Sequence, residues 1–355
     1  MSVALHALKQ RYKLKHQLRS CLDRLAVLTG LLRWYEHCMR RGLTILMYHR
    51  VVPLSQCIDY PLPALVVPVD AFRQQMQWLA ANCRVLPMSE ALAELTTGGP
   101  FAKPLVAVTF DDGYKDNYTL AAPLLEEYGL RGTFFVTSGF VTGNHPLWYD
   151  RAAMAWQLVS DDNRLHLLEV LRRAGGKEQV GNGADQEMPV WMAELKLAAP
   201  AERMKLVAKA ESLVARPPDL SRFLPMEAEQ VAALYRQGHE IASHSVSHPI
   251  LPQLDDKALA EELKNSAQQI SAWTGAQVKG FCYPNGDYDP RVEQAVIQAG
   301  YHYACTVEDG LNRPGVCLTR LARLSITRQR TMRGPHHDLL GFRAELSRWR
   351  ALWRR

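Results

Sequence analysis

The sequence predicts an α/β fold built on a parallel sheet, and two observations carry that expectation. Seven short apolar stretches recur along the chain, at residues 43–48, 105–110, 132–136, 240–243, 278–283, 302–306 and 322–326. Beside them lie stretches with helical spacing, at 70–81, 89–95, 117–128, 228–237, 256–274 and 291–299. Strands that alternate with helices at this interval need crossover connections, and those give parallel pairing. The pattern fits a closed barrel and an open doubly wound sheet about equally well.

The ends of the chain read differently from its middle. Residues 1–50 hold ten Lys or Arg against two acids, residues 320–355 again ten against two, and the stretch between them is net acidic. In the N-terminal segment, 1–42, Leu14, Leu18, Leu22, Leu25 and Leu32 recur at helical spacing with Lys13, Lys15, Arg19, Arg24 and Arg33 between them. The C-terminal segment, 331–355, repeats the idea. Phe342, Leu346, Trp349 and Trp353 advance by four, three and four, interleaved with Arg343, Arg348, Arg350, Arg354 and Arg355. Basic amphipathic helices of this kind either lie on a membrane surface or pack on the fold and show their charges to water. No nucleic-acid recognition motif accompanies the charge, so nucleic acid is not an expected partner.

Between residues 136 and 240 the alternation stops. Residues 151–222 read as a helical insertion, with helices at 151–174 and 190–215 around a soft stretch marked by Gly175, Gly176, Gly181 and Gly183, and an exit at Pro217-Pro218. In α/β folds such insertions hang from the rim that carries the site, which makes this one a lid or an oligomer contact. Trp148 and Tyr149 precede it. The seven cysteines are an odd number without Cys-x-x-Cys spacing, which points to reduced thiols. No apolar run has the length of a membrane span and no secretory signal pattern opens the chain, so the expected location is cytoplasmic.

Two motifs carry the chemistry. Thr109-Phe110-Asp111-Asp112-Gly113 places two carboxylates where a buried strand gives way to a glycine turn. Adjacent side chains at a strand end point in different directions, so one carboxylate can hold a cation while its neighbour faces a water. His244-Ser245-Val246-Ser247-His248 supplies two imidazoles at i and i+4, which share a face if the segment is helical. Imidazole with carboxylate suits zinc and its divalent relatives Co²⁺, Ni²⁺ and Mn²⁺.

These motifs resemble those of the polysaccharide deacetylases, the NodB homology domain or carbohydrate esterase family four. Phe281-Cys282-Tyr283-Pro284-Asn285-Gly286 is similar to the family's third motif and Leu321-Ala322-Arg323-Leu324-Ser325-Ile326 to its last. The resemblance covers roughly residues 43–330, with the interruption at about 151–222. It implies a distorted (β/α)7-type barrel and a metal-dependent hydrolase that removes an N-acetyl group from an amino sugar in a polysaccharide, oligosaccharide or lipid-linked precursor. It implies Asp112, His244 and His248 as metal ligands, with zinc first among the metals, and Asp111 as general base. A backbone N–H near Asn285 would stabilise the oxyanion, a contribution of ~2.7–4 kcal/mol for one such donor. Tyr283, Pro284 and Trp148 are the expected substrate contacts. A deformylase or other amide hydrolase, and a noncatalytic glycan-binding module, are the alternative readings.

Two departures from the family pattern matter. Cys282 stands where the third motif carries an arginine that orients the base, and residues 321–328 lack the late histidine that serves as general acid. His49, which ends a strand as Asp111 does and so belongs to the same rim of a parallel barrel, is the first choice for the acid; His336 and His337 are the others. The basic termini would hold the protein at the inner face of a membrane if the substrate is lipid-linked.

Overall fold

The computed structural model describes residues 18–143, 145–173, 184–216, 219–333 and 336–353. Its strands are β1 (Leu43–Tyr48), β2 (Arg50–Val52), β3 (Val66–Pro68), β4 (Arg84–Val85), β5 (Leu105–Phe110), β6 (Thr133–Val136), β7 (Glu240–Ser243), β8 (Gly280–Cys282), β9 (Tyr303–Cys305), β10 (Leu324–Ser325), β11 (Met332–Arg333) and β12 (His336–His337). The main sheet runs β10-β1-β5-β6-β7-β8-β9, parallel throughout, with β4 beside the first two residues of β5. Leu321 bridges Cys305 at one edge, while Leu324 and Ser325 pair with Leu46 and Met47 at the other. One short segment thus joins both edges and closes the sheet into the expected distorted barrel.

Strands buried on both faces explain why β1 and β5 read as unbroken apolar runs: every residue of each is buried. Leu43, Ile45, Ala107, Phe135 and Tyr303 face one cluster with Met88, Leu92 and Leu95 of the helix Met88–Thr96. Ser89 at the start of that helix bonds Glu240 at 2.6 Å, which fixes it at the N-terminal end of the barrel. Leu46, Tyr48, Val106, Val108 and Phe134 pack outward on the surrounding helices, among them Val69–Asn82. The five strands without a sequence signal, β2, β3, β4, β11 and β12, are two or three residues long, too short for a period to show.

The insertion is helical but more broken than its periodicity suggests. Its helices are Trp148–Leu158, Asp161–Arg173, Ala184–Leu197 and Pro200–Ser212. The expected helix at 151–174 breaks at residues 159–160, and the one at 190–215 breaks where Ala199, extended at ψ 149°, precedes Pro200. These helices share a core in which Trp156 and Trp191 stack at 5.2 Å and the Trp191 indole N–H donates to the Ala152 carbonyl at 3.3 Å. Trp191→Ala is expected to destabilise this core by ~3–5 kcal/mol. Limited proteolysis should then cut the insertion first, and uniform unfolding of the whole chain would contradict a separate core.

The termini pack together rather than apart. Residues 18–28 and the helix Leu31–Cys38 meet the helix Leu339–Leu346 and the turn Trp349–Trp353 through Ala26, Leu32, Ala344 and Trp349. Arg343 pairs with Glu36 at 2.8 Å and Arg350 with Asp23 at 2.6 Å. Phe342, Leu346 and Trp349 are buried, so the C-terminal apolar face turns inward, contrary to a role on a membrane surface. On the N-terminal segment Leu18 and Leu25 are exposed, while Leu14 with Lys13 and Lys15 lies outside the described residues. All seven cysteines are unpaired, and no described helix is long and apolar enough to cross a membrane.

Candidate active site

At the C-terminal rim of β5 the Asp111 N–H donates to the Tyr48 carbonyl at 2.9 Å, extending the ladder by one step, and Asp112 then turns to φ 77°. Among the described residues five non-glycines have positive φ, and four of them, Asp112, Ser245, His248 and Asn285, lie in the site motifs. Such backbone costs ~1–3 kcal/mol per residue and persists where the surroundings enforce it.

The enforcement is visible for the histidine pair. Residues 244–248 form a loop after β7 and not the helical turn that would put i and i+4 on one face. Glu262 accepts from the Val246 and Ser247 N–H groups at 2.8 and 3.0 Å and from the Ser247 hydroxyl at 2.6 Å. From the other side the Gly139 N–H donates to the Val246 carbonyl at 2.8 Å, and a Cβ on Gly139 would stand 2.5 Å from that oxygen. Only glycine lets the two backbones approach this closely.

Both histidines present Nε2 to Asp112, each 3.6 Å from Oδ1. His244 Nδ1 lies 2.8 Å from the Cys282 carbonyl, which can only accept, so the proton is on Nδ1 and the Nε2 lone pair faces the carboxylate. Both Asp112 oxygens are buried and neither accepts a hydrogen bond of normal geometry, although the Tyr149 hydroxyl is close enough to favour the carboxylate. Burial, followed by the adjacent Asp111 charge, pushes Asp112 well above the usual carboxylate range. Burial likewise lowers His244 and His248, leaving neutral imidazoles. A carboxylate facing two neutral imidazole nitrogens at this spacing fits a divalent cation, since ligands held ~2.0–2.2 Å from a shared tetrahedral centre stand about 3.3–3.6 Å apart.

Asp111 has the opposite environment. Arg323, fully buried, donates from Nη1 to Asp111 Oδ1 at 2.7 Å and from Nη2 to Oδ2 at 2.8 Å. The same Nη2 reaches the Cys282 sulfur at 2.9 Å, and Nε donates to the Thr306 carbonyl at 2.9 Å. Burial alone would raise Asp111; the guanidinium, with smaller contributions from His244 and His49, holds it well below the usual range. The arginine absent at position 282 is therefore supplied by the last motif, and Cys282 lies between the two groups. A lone Arg inside the apolar run Leu321-Ala322-Arg323-Leu324 was the available signal, because a buried guanidinium needs a partner.

A cavity of about 320 Å³ opens over these groups. His49 lines it as expected, with Nε2 4.0 Å from Asp111 Oδ2, and burial lowers its pKa to about 4 against the pull of Asp111. Tyr283 and Asn285 line it too, while Pro284 is buried outside the lining. Trp148 does not reach the cavity: it is buried with its indole N–H on the His248 carbonyl at 3.2 Å, bracing a ligand loop, and its neighbour Tyr149 takes the cavity position. His336 and His337 are not among the lining residues. Met188, Met192 and Lys196 of the insertion form one wall and residues 61–65 another.

Beneath the cavity lies a polar network with no sequence signal. The Tyr114 hydroxyl donates to Asp150 at 2.6 Å and stands 3.2 Å from the Tyr149 hydroxyl; Tyr60 donates to the other Asp150 oxygen at 3.2 Å. Arg50 links Tyr60 to Asp116. Burial lifts Asp150 to about 7.

The family model for polysaccharide deacetylases matches residues 98–177 and 205–304, about half the chain and broken within the insertion. The chain belongs to the polysaccharide deacetylase family. A putative polysaccharide deacetylase of Bacillus subtilis, YxkH, is 36% identical over 115 residues, which span 32% of this chain and 38% of that protein. Among solved structures, the Streptococcus pyogenes deacetylase PplD in complex with acetate superposes with a TM-score of 0.54 at 18% identity, covering 81% of this chain and 94% of its own. IcaB from Ammonifex degensii gives 0.53 at 18% identity, covering 87% and 97%. At such identity these structures speak for the fold.

Proposed function

We propose that this chain is a metal-dependent hydrolase that removes an N-acetyl group from an amino sugar in a glycan or lipid-linked precursor. One observation carries the reading: Asp111, fixed by Arg323, stands beside an Asp112–His244–His248 set spaced to hold a cation, with all four lining one cavity. A divalent cation held by those three residues, zinc first among the candidates, would polarise the amide carbonyl and lower the pKa of the attacking water. Asp111, kept ionised by Arg323, accepts the water's proton. His49, neutral at rest and with Nε2 4.0 Å from Asp111 Oδ2, would relay to the leaving amine the proton that Asp111 takes from the water. The backbone N–H at Asn285 would serve as the oxyanion donor and Tyr283 as a substrate contact, a reading supported by both residues lining the cavity. The same reading keeps the protein in the cytoplasm, at the inner face of a membrane, where a lipid-linked sugar would be met.

The test is acetate release from N-acetylated glycans and lipid-linked sugars by protein stripped with a chelator and reloaded with Zn²⁺, Co²⁺, Ni²⁺ or Mn²⁺. Acetate is expected only from reloaded protein. Formate in its place would mark a deformylase, and no product from any substrate despite bound metal would overturn the hydrolase reading.

A further inference from the structure

We propose that residues 18–34 form a docking face for an anionic lipid bilayer, set on the flank of the barrel that carries the cavity. Six of the sixteen exposed large apolar side chains among the described residues fall in this short segment: Leu18, Leu25, Val27, Leu28, Leu31 and Trp34. Leu28 is 84% and Trp34 58% exposed, the degree expected of side chains that enter an interface and not of incidental surface residues.

The charge pattern selects a bilayer as the occupant. The two acids nearby, Asp23 and Glu36, are turned inward and held by Arg350 and Arg343, so neither offsets the exposed cations. Arg24, Arg33 and Arg41 are exposed among and beside the leucines. Apolar side chains that reach the acyl boundary, with arginines able to lie along it and keep their heads at the phosphates, match an anionic surface.

Position ties the face to the cavity. Arg350 holds Asp23 with Nη2 and the Arg330 carbonyl with Nη1 at 3.0 Å. Residues Arg328–Thr331 leave the rim just after β10 and pack on Pro63–Leu65, the cavity wall. Arg328 also donates to the Cys57 carbonyl at 3.0 Å, beside Ile58, another exposed apolar residue. Docking therefore brings the catalytic rim toward the bilayer, where the head of a lipid-linked sugar lies. The purpose of that placement rests on the deacetylase reading; the docking does not.

The experiment is flotation of the full chain with phosphatidylcholine vesicles, with and without phosphatidylglycerol at about a third of the lipid. The wild type is expected to float only with anionic vesicles and to lose binding in high salt. Leu25→Asp/Leu28→Asp and Arg24→Glu/Arg33→Glu should each weaken binding tenfold or more with an unchanged melting temperature, since these side chains are exposed. Wild type that does not float, or variants that float like it, overturn the proposal. So does a concentration-dependent dimer broken by Leu25→Asp/Leu28→Asp in protein that ignores vesicles, which would assign the face to a second copy. Acetate release from a water-soluble substrate separates the two ideas: floating protein without turnover overturns the deacetylase and keeps the docking, and turnover without floating does the reverse.

Discussion

Asp111→Asn is expected to lower turnover by on the order of 10²–10⁴-fold with metal content unchanged, because the amide cannot take the water's proton. It should also lower the melting temperature. Arg323 is fully buried, and removing its partner leaves an uncompensated charge, typically ~3–5 kcal/mol. Arg323→Met tests the pair from the other side. The carboxylate keeps its identity but loses both hydrogen bonds that fix its direction, and misorientation on this scale costs on the order of 10²-fold. A purely structural arginine would depress activity equally at all pH values; a positioning one would not. With Arg323 gone, burial is the dominant influence on Asp111, its pKa rises, and the acid limb of the kcat–pH profile moves upward. Linkage gives a second readout. Asp111 is depressed in the folded state, so its stabilisation is complete above the unfolded pKa of ~3.9 and disappears as pH falls through the folded value. Wild type should therefore lose more stability on acidification than Arg323→Met does. Asp111→Asn/Arg323→Met, which removes both charges, should cost less than the sum of the single changes. An unmoved acid limb in Arg323→Met would refute the positioning role.

What the sequence disclosed, and what it hid, divide along the same physical line. Buried parallel strands announce themselves as apolar runs, so β1, β5 and β7 begin and end where the pattern put them. The cluster of Asp111, Asp112, His244 and His248 was legible because each motif is local: Asp111 and Asp112 are adjacent, and His244 and His248 lie within one loop. Arg323 was not, because its significance depends on barrel closure, which carries β10 next to β1 and so sets residue 323 against residue 111. A lone arginine in an apolar run signals that a partner is needed, but nothing along the chain says which residue it is. The histidine spacing was right for a reason other than the one the period suggested: a helix would have aligned the rings by geometry, whereas here Glu262 and the bare backbone of Gly139 clamp an irregular loop. Trp148 shows the opposite error, since an aromatic beside a sugar site reads as a platform even where it braces the loop from behind. The C-terminal aromatics looked like a membrane face by period alone, and only the packing of Phe342 and Trp349 shows which side they turn. Periodicity reports that a helix has an apolar face, not what covers it.

Metal removal is expected to have the second large effect, on activity and on stability at once. Without a cation, Asp112 is a buried carboxylate with the Tyr149 hydroxyl nearby, facing the Nε2 lone pair of His244 and the neutral ring of His248. Its folded pKa is raised, so between the unfolded value of ~3.9 and the folded one the native state binds a proton that the unfolded chain does not. The stability of chelator-treated protein should accordingly fall as pH rises through that window. Zinc displaces the proton, so the melting-temperature gain on adding zinc should grow with pH. At a hundredfold excess over Kd the gain corresponds to ~2.7 kcal/mol, a shift of a few degrees for a chain of this size. Asp112→Asn separates the two consequences. An Asn side chain carries no charge to bury and can donate from its amide to an imidazole nitrogen, so the metal-free variant should melt at or above metal-free wild type, with a flatter pH dependence. It should also show no zinc-dependent shift and no turnover. A zinc-induced shift retained in Asp112→Asn would refute Asp112 as a ligand. A variant less stable than metal-free wild type would show instead that the carboxylate serves the fold. The expected outcome follows from the site's construction: the arrangement that burdens the empty fold, a buried carboxylate beside two neutral nitrogens, is the one that gives the cation its affinity.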